Sequence, residues 1–204
     1  GIQSTGWLDS GDSCVRCHLS KTDIDLWCNE WSTLKPVERD DMAPFVVASF
    51  DIECNSSTGK FPDPNVPDDA CFQIAISLCK FGSDEPYDKT CLCFKKTDKN
   101  IEGSNIISFD TEREMLLAFK RYVNEKNIDI ITGWNIFGFD LEYSYKRAAM
   151  VGCGVEFYQL GKLNDTECHL VLKQLSSSAL GDNYLKLLPM AGRFIFDLFH
   201  EVKK

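Results

Sequence analysis

The sequence lacks any run of about 20 apolar residues, the length that a membrane-spanning helix needs. Its first residues, from Gly1 to Gly6, lack the basic stretch and apolar core of a secretory signal. It also has no initiator Met, which predicts a chain cut from a longer protein. We therefore expect neither a membrane protein nor a secreted one.

Basic residues are outnumbered, because 22 Lys and Arg stand against 31 Asp and Glu, giving a net charge of -9. A protein that binds nucleic acid by itself usually presents a basic face. The balance argues against strong nucleic-acid binding by this chain alone. If DNA is the partner, other parts of a longer protein must hold its backbone, while metal ions bridge phosphate to carboxylate here.

Cysteine is present at 10 of 204 residues, too few for a disulfide-dense scaffold. Four of these residues lie within apolar runs and are predicted core residues: Cys71, Cys79, Cys91 and Cys93. Because free buried Cys behaves as a small hydrophobic residue, the pattern favours a reducing intracellular compartment.

The segment Cys14-Val15-Arg16-Cys17-His18 superficially resembles a zinc or haem-attachment motif. A zinc site needs further ligands at suitable spacing, and only Cys28 is near in sequence. The role of this segment stays open. The three His residues stand in no recognisable setting for a nucleophilic triad.

The length of 204 residues and the hydrophobic fraction of 44% predict one main core, with room for a small appendage. Residues 1–43 are a polar, turn-rich lead-in, and a compact pattern begins at Pro44. The first predicted elements are strands at 45–53, 71–81 and 89–95, with a loop at 54–69. A helix follows from an N-cap at Asp110 to about Asn127, then a strand from Ile128 to Trp134 and a helix from Leu141 to Val151 that Gly152 and Gly154 end. The last elements are an inserted β-hairpin within 155–190 and a strand at 192–197 that runs into a helix. This order describes an α/β fold with a mixed central sheet.

Two carboxylates, Asp51 and Glu53, end the first strand at i, i+2 spacing. Side chains alternate along a strand, so both point to one face. Two like charges on one face are costly to desolvate unless a cation lies between them. A third carboxylate, Asp140, follows the mostly apolar run from Ile130 to Trp134. Three such groups suit Mg²⁺ or Mn²⁺, which prefer oxygen ligands.

These residues carry a family resemblance. Phe50-Asp51-Ile52-Glu53 resembles the first exonuclease motif of B-family DNA polymerases, and Thr132-Gly133-Trp134-Asn135-Ile136-Phe137-Gly138-Phe139-Asp140 resembles the second. The flanking segments extend the match to the delta-like members found in eukaryotes and large DNA viruses: Gly59-Lys60-Phe61-Pro62-Asp63-Pro64, Phe72-Gln73-Ile74-Ala75 and Gly192-Arg193-Phe194-Ile195-Phe196-Asp197-Leu198. The Cys-rich lead-in favours a viral source over a cellular one.

The resemblance implies a ribonuclease-H-like 3′→5′ proofreading exonuclease domain at 44–204, preceded at 1–43 by the end of an amino-terminal domain. Asp51, Glu53 and Asp140 would hold two divalent ions and be catalytic, while Asn135 and Phe139 would contact substrate. Partners implied are primer-template DNA, a frayed single-stranded 3′ end and the rest of the polymerase. The sliding clamp and accessory subunits would bind elsewhere, and the setting is the nucleus or a viral replication site.

The family's third exonuclease motif, a Tyr and an Asp separated by three residues, is not found before Lys204. Asp197 lies in the segment that precedes that motif, so it is not expected to be the missing ligand. We therefore expect the isolated chain to digest DNA weakly or not at all. Two alternatives stay open: a stand-alone metal-dependent exonuclease and a non-catalytic ribonuclease-H-like scaffold.

Overall fold

A long strand of alternating burial, β5 (Val46–Cys54), lies near the middle of the central sheet. The computed structural model describes residues 6–97, 101–177 and 181–202 of the chain. The other strands of the sheet are β6 (Cys71–Lys80), β7 (Asp88–Phe94), β8 (Asn105–Phe109), β9 (Ile130–Gly133) and β12 (Phe194–Asp197). Their order is β12-β9-β5-β6-β7-β8.

The sheet is mixed, as the sequence predicts. Strands β5, β6 and β7 pair antiparallel, whereas β8 pairs parallel to β7, and β9 and β12 run parallel to β5. The alternating burial of β5 places Phe50 and Ile52 in the core and leaves Asp51 and Glu53 exposed on the opposite face. The two carboxylates therefore share a face.

Helices pack on the core side of the sheet: α1 (Glu112–Glu125), α2 (Asp140–Met150) and the short α3 (Gly154–Phe157). Their apolar faces bury side chains such as Met115, Leu116 and Phe157 against β5, β6 and β7. A last short helix, α4 (Leu198–Val202), follows β12 directly. No helix in the described part of the chain has the length and apolarity to cross a bilayer.

The start of α1 corrects the predicted N-cap, because Thr111 rather than Asp110 caps the helix. The Thr111 hydroxyl accepts the N–H of Glu114 at 3.1 Å, and the Glu114 carboxylate accepts the N–H of Thr111 at 3.0 Å. This reciprocal capping box satisfies two helix-end donors together, which a cap one residue earlier does not achieve. The helix ends at Glu125, shortly before the predicted Asn127.

Several short elements were not predicted. They are strand β8, helix α3 and four strands in the lead-in: β1 (Trp7–Asp9), β2 (Cys14–Arg16), β3 (Leu26–Cys28) and β4 (Lys35–Val37). The lead-in strands form two small antiparallel sheets, β1 with β4 and β2 with β3. Two 3-10 turns accompany them, at Gly11–Ser13 and Trp31–Thr33.

The lead-in is held against the segment after α3. The Lys21 ammonium donates to the carbonyls of Gln159 and Gly161, at 2.9 Å each. The Asn164 amide nitrogen donates to the carbonyl of His18 at 3.0 Å, and Ser20 forms a β-bridge with Leu163. Residues near position 20 are thereby fixed to the main body.

The inserted hairpin is confirmed as the antiparallel pair β10 (Val171–Ser177) and β11 (Gly181–Leu187), whose connecting residues 178–180 lie outside the described part of the chain. Lys186 of β11 forms a 2.6 Å ion pair with Glu142 of α2, which ties the base of the hairpin to that helix. The predicted end of α2 is also confirmed, because Gly152 follows it with a φ of 72°, a left-handed conformation that glycine adopts readily.

Candidate functional site

The site lies where β9 ends and the chain passes over the last residues of β5. The pairing of β5 with β9 stops at Ser49 and Thr132. A Cβ built on Gly133 would lie 2.5 Å from the carbonyl oxygen of Phe50, so only glycine allows the two strands to approach this closely here. The loop that follows brings Asp140 to the start of α2.

Asp140 is buried, with 2% of its surface exposed, and its Oδ1 accepts the N–H of Ile52 at 3.1 Å. This contact fixes the carboxyl beside the backbone that links Asp51 to Glu53. Burial raises the pKa of Asp140 to about 6, with further upward contributions from the charges of Asp51 and Asp197, while the Ile52 N–H acts in the opposite direction.

The structure brings Asp51 and Asp140 close enough to repel each other electrostatically, and Glu53 lies on the same face as Asp51. In the described residues, however, no three His, Cys, Asp or Glu side chains gather tightly enough to hold a metal ion. Cys14 and Cys28 are register partners across β2 and β3. Among the described residues, they do not belong to a group of three possible metal ligands.

The donor set fits a hard divalent cation. Carboxylate oxygens are the ligands that Mg²⁺ and Mn²⁺ prefer. A cation beside Asp140 would relieve the repulsion from Asp51 and favour the ionised form of the buried carboxyl. Asp51, Glu53 and Asp140 therefore offer donor atoms of the right kind, but in the described residues these three carboxylates are not gathered into one group.

Asp197 is a structural residue of this site. It is buried, its Oδ1 accepts the N–H groups of Asn135 at 2.8 Å and Phe199 at 3.0 Å, and its Oδ2 accepts the N–H of Phe137 at 2.9 Å. Both oxygens of Asp197 accept hydrogen bonds from backbone donors, and the carboxylate thereby fixes the loop that leads into Asp140. The expectation that Asp197 is not the missing metal ligand stays a prediction.

The conformation of the loop before Asp140 explains why Asn stands at position 135 and Gly at position 138. Asn135 has a φ of 60°, which Asn tolerates better than most residues. A Cβ on Gly138 would lie 2.4 Å from Oδ1 of Asn135, so the Asn135 side chain occupies the space that a larger residue at 138 would need. The Asn135 carbonyl accepts the N–H groups of Gly138 at 2.9 Å and Phe139 at 3.1 Å, which closes the turn.

The Gly192-to-Asp197 segment is anchored at both ends. Arg193 is buried and donates to the carbonyls of Leu160 and Ile128 and to Oδ1 of Asn124, which joins the start of β12 to the end of α1. Burial lowers the pKa of Arg193 to about 10. This segment positions the strand from which Asp197 reaches the loop.

Aromatic residues flank the carboxylates. Phe139 is half-buried, and its ring lies 4.9 Å from Tyr143 and 5.1 Å from Phe61. The Phe61 side chain is 77% exposed, the most exposed of the large hydrophobic residues in the described part. Trp134, 56% exposed, borders a groove of about 620 Å³ that also contains Asp51.

The sequence-based interpretation missed Phe61 and Trp134 as parts of the site. Both lie in segments that carry the family resemblance, but their exposure depends on how the loops fold. Phe137 is partly buried and packs against the core, and its ring stacks on that of His200 with the centroids 6.2 Å apart.

A mixed sheet that bears two exposed carboxylates on one strand and a buried third at the start of a neighbouring helix is consistent with a ribonuclease-H-like exonuclease domain. The comparisons identify the family. The sequence model for the exonuclease domain of DNA polymerase family B matches residues 1–204, and the chain belongs to that family.

Individual relatives of the chain are also named as DNA polymerases. The chain is 35% identical over 205 residues to the DNA polymerase delta catalytic subunit of Glycine max, covering 100% of this chain and 18% of the relative. It is 31% identical over 198 residues to the DNA polymerase of Paramecium bursaria Chlorella virus NY2A, covering 93% and 21%. With the DNA polymerase of Acanthamoeba polyphaga mimivirus the identity is 39% over 149 residues, covering 72% and 8%. The chain thus spans about a fifth or less of these relatives.

Proposed function

We propose that residues 44–204 are most of the 3′→5′ proofreading exonuclease domain of a delta-like, family-B DNA polymerase, with residues 1–43 as the end of the preceding domain. The complete protein would extend primers on a DNA template and remove mispaired 3′ ends. The family match supports this proposal. The observation that carries it is the buried Asp140 carboxyl, held on the Ile52 N–H beside Asp51.

Asp51, Glu53 and Asp140 would hold two divalent ions, Mg²⁺ or Mn²⁺, with a further ligand from the third motif beyond this chain. When bound, such ions activate a water molecule and stabilise the leaving 3′ oxygen. The protein residues around them position the substrate. Asp197 and Gly138 keep the loop shaped so that Asp140 begins α2 beside β5.

The exposed Phe61 ring and the Phe139 ring beneath it offer an aromatic surface for a frayed 3′ end. Base stacking on aromatic side chains accepts any sequence, which editing of any mismatch requires. The chain itself carries a net charge of -9, so the DNA backbone would be held mainly by the rest of the polymerase. The protein would act where DNA is replicated, in the nucleus or at a viral replication site.

The test uses the complete polymerase. Asp51→Ala or Asp140→Ala should abolish release of nucleotides from a single-stranded 3′ end, while primer extension persists. Asp84→Ala is the matched control, because Asp84 is exposed in the turn after β6, at the opposite end of β5 from the site. Equal 3′→5′ digestion by the parent and by these two variants would contradict the proposal.

A further inference from the structure

The face of α2 that begins with Asp140 also carries Tyr143 and Arg147, at helical spacing of i, i+3 and i+7. All three residues are buried. The long loop between β5 and β6 lies along this face and places Phe61 against Phe139. One helix therefore contacts both the candidate metal site and the loop that presents Phe61.

Arg147 uses its whole guanidinium to hold these parts together. Nε and Nη2 donate to the two carboxylate oxygens of Glu112, while the remaining hydrogen bonds go to the carbonyls of Pro64, Val66 and Pro67. A guanidinium has five N–H donors in a fixed fork. The five hydrogen bonds here therefore match its full capacity.

The three carbonyls belong to the loop itself, and Glu112 belongs to α1. Glu112 also accepts the N–H of Cys71 at 2.9 Å, which ties the first residue of β6 into the same cluster. A second anchor lies one helical turn earlier, where the Tyr143 hydroxyl donates to the Asp69 carbonyl at 2.6 Å. The loop is thus attached to α2 at two points.

We infer that Arg147 is a positioning residue for exonuclease editing, which holds the 55–69 loop so that Phe61 meets the 3′ end in line with Asp140. This inference rests on the proposed function. The hydrogen bonds of Arg147 go to Glu112 and to the carbonyls of the loop, so Arg147 would act through the loop. Its loss should therefore weaken engagement of single-stranded 3′ ends more than the chemical step.

Arg147→Lys in the complete polymerase is the first test. Lysine keeps the positive charge beside Glu112 but offers at most three donors without the planar fork. We expect KM for a single-stranded oligodeoxynucleotide to rise roughly tenfold with kcat within about twofold. Arg113→Lys is the matched control, because Arg113 is exposed and pairs with the exposed Glu156, and it should leave both constants unchanged.

A double-mutant cycle shows whether Arg147 acts through Phe61. Phe61→Ala alone should raise KM roughly tenfold, and the Phe61→Ala/Arg147→Lys pair should be no worse than Phe61→Ala within about twofold. Fluorescence of 2-aminopurine at the 3′ end of a phosphorothioate-blocked strand should fall less with either variant than with the parent, because stacking quenches it. Multiplicative losses, or an unchanged KM in Arg147→Lys, would overturn the inference.

If Arg147→Lys lowers primer extension or the melting temperature, Tyr143→Phe replaces it, since it removes only the hydroxyl that holds Asp69. It should also raise KM, and an unchanged KM would overturn the inference. The parent and Asp51→Ala separate the two proposals. If the parent does not digest single strands, the proposed function is contradicted. If the parent digests them and Arg147→Lys digests them equally well, only the role of Arg147 is contradicted.

Discussion

Gly138 shows how a single missing side chain shapes the site. A Cβ at this position would lie 2.4 Å from Oδ1 of Asn135, which is a steric overlap. The Asn135 side chain would have to turn away, and the loop before Asp140 would shift with it. Small displacements of catalytic groups cost large factors in rate because reacting atoms must be aligned.

We therefore expect Gly138→Ala to lower 3′→5′ digestion by the complete polymerase roughly ten- to hundredfold, with primer extension unchanged. Asn135→Gly supplies the control, because glycine accepts the φ of 60° and removes the overlapping atoms. In the Asn135→Gly background, adding Gly138→Ala should have little further effect. A similar loss from Gly138→Ala in both backgrounds would show that the overlap is not the cause.

The candidate residues could be predicted from the sequence where strand alternation alone decides their direction. Asp51 and Glu53 share a face because they are two residues apart on β5. The role of Arg147 could not be predicted, since its acceptors are the carbonyls of residues 64, 66 and 67, some 80 positions earlier. A buried Arg in an amphipathic pattern is indistinguishable from a surface Arg until the loop is folded over it.

At the scale of elements, Asp197 joins β12 to the loop between β9 and α2. Oδ1 accepts two backbone N–H groups and Oδ2 accepts one. An Asn at this position would keep one acceptor oxygen and turn its NH₂ group towards at least one of these donors. A buried N–H left without an acceptor costs about 1–3 kcal/mol.

Asp197→Asn should accordingly lower the free energy of unfolding of the chain by about 2 kcal/mol, measured by urea denaturation. In the complete polymerase, 3′→5′ digestion should fall as the loop loosens, while primer extension persists. Asp84→Asn makes the same chemical change at an exposed position and should alter neither quantity. Full stability in Asp197→Asn would contradict the anchoring role.

The loop between β5 and β6 depends on a second carboxylate, Asp69. Hydrogen bonds from the Ser57 hydroxyl and from the N–H groups of Asp63 and Ser57 hold the pKa of Asp69 below its usual range. A depressed pKa in the folded state stabilises the loop above the unfolded pKa of about 3.9, and this stabilisation is lost as the pH falls through the lower folded pKa.

Hydrogen exchange of the Ser57 and Asp63 amides should therefore stay slow at neutral pH and lose protection, relative to the rest of the sheet, as the pH falls below about 4. In Asp69→Asn the two amides should exchange faster already at neutral pH, and the acid-dependent loss should disappear. Equal protection of these amides in parent and variant at neutral pH would refute the contribution of Asp69.

Long elements with clear periodicity were predicted, and short ones were not. The β5 strand and the two main helices have enough residues for burial to repeat. By contrast β8, with residues Asn105–Phe109, carries Ile107 exposed and Ile106 only half-buried at the sheet edge, so it shows no alternation. Each lead-in strand has three residues, which is too short for any period to appear.

At the scale of the whole molecule, charge and completeness of the site limit what the chain does alone. The net charge of -9 opposes the approach of a phosphate backbone, and this repulsion acts over about 10 Å at moderate salt. The candidate ligands Asp51, Glu53 and Asp140 lack the ligand expected from the third motif. Both effects predict weak binding of metal and of DNA.

Circular dichroism first establishes that the purified 204-residue chain is folded. The chain should then digest a single-stranded oligodeoxynucleotide in Mg²⁺ at less than about a hundredth of the rate of the complete polymerase. The reason is that a two-ion mechanism needs both ions placed, and a missing ligand loosens at least one of them. The Asp51→Ala chain measures any contaminating nuclease. Digestion by the chain at the polymerase rate, lost in Asp51→Ala, would mean that the three carboxylates suffice and that the third motif is dispensable for catalysis.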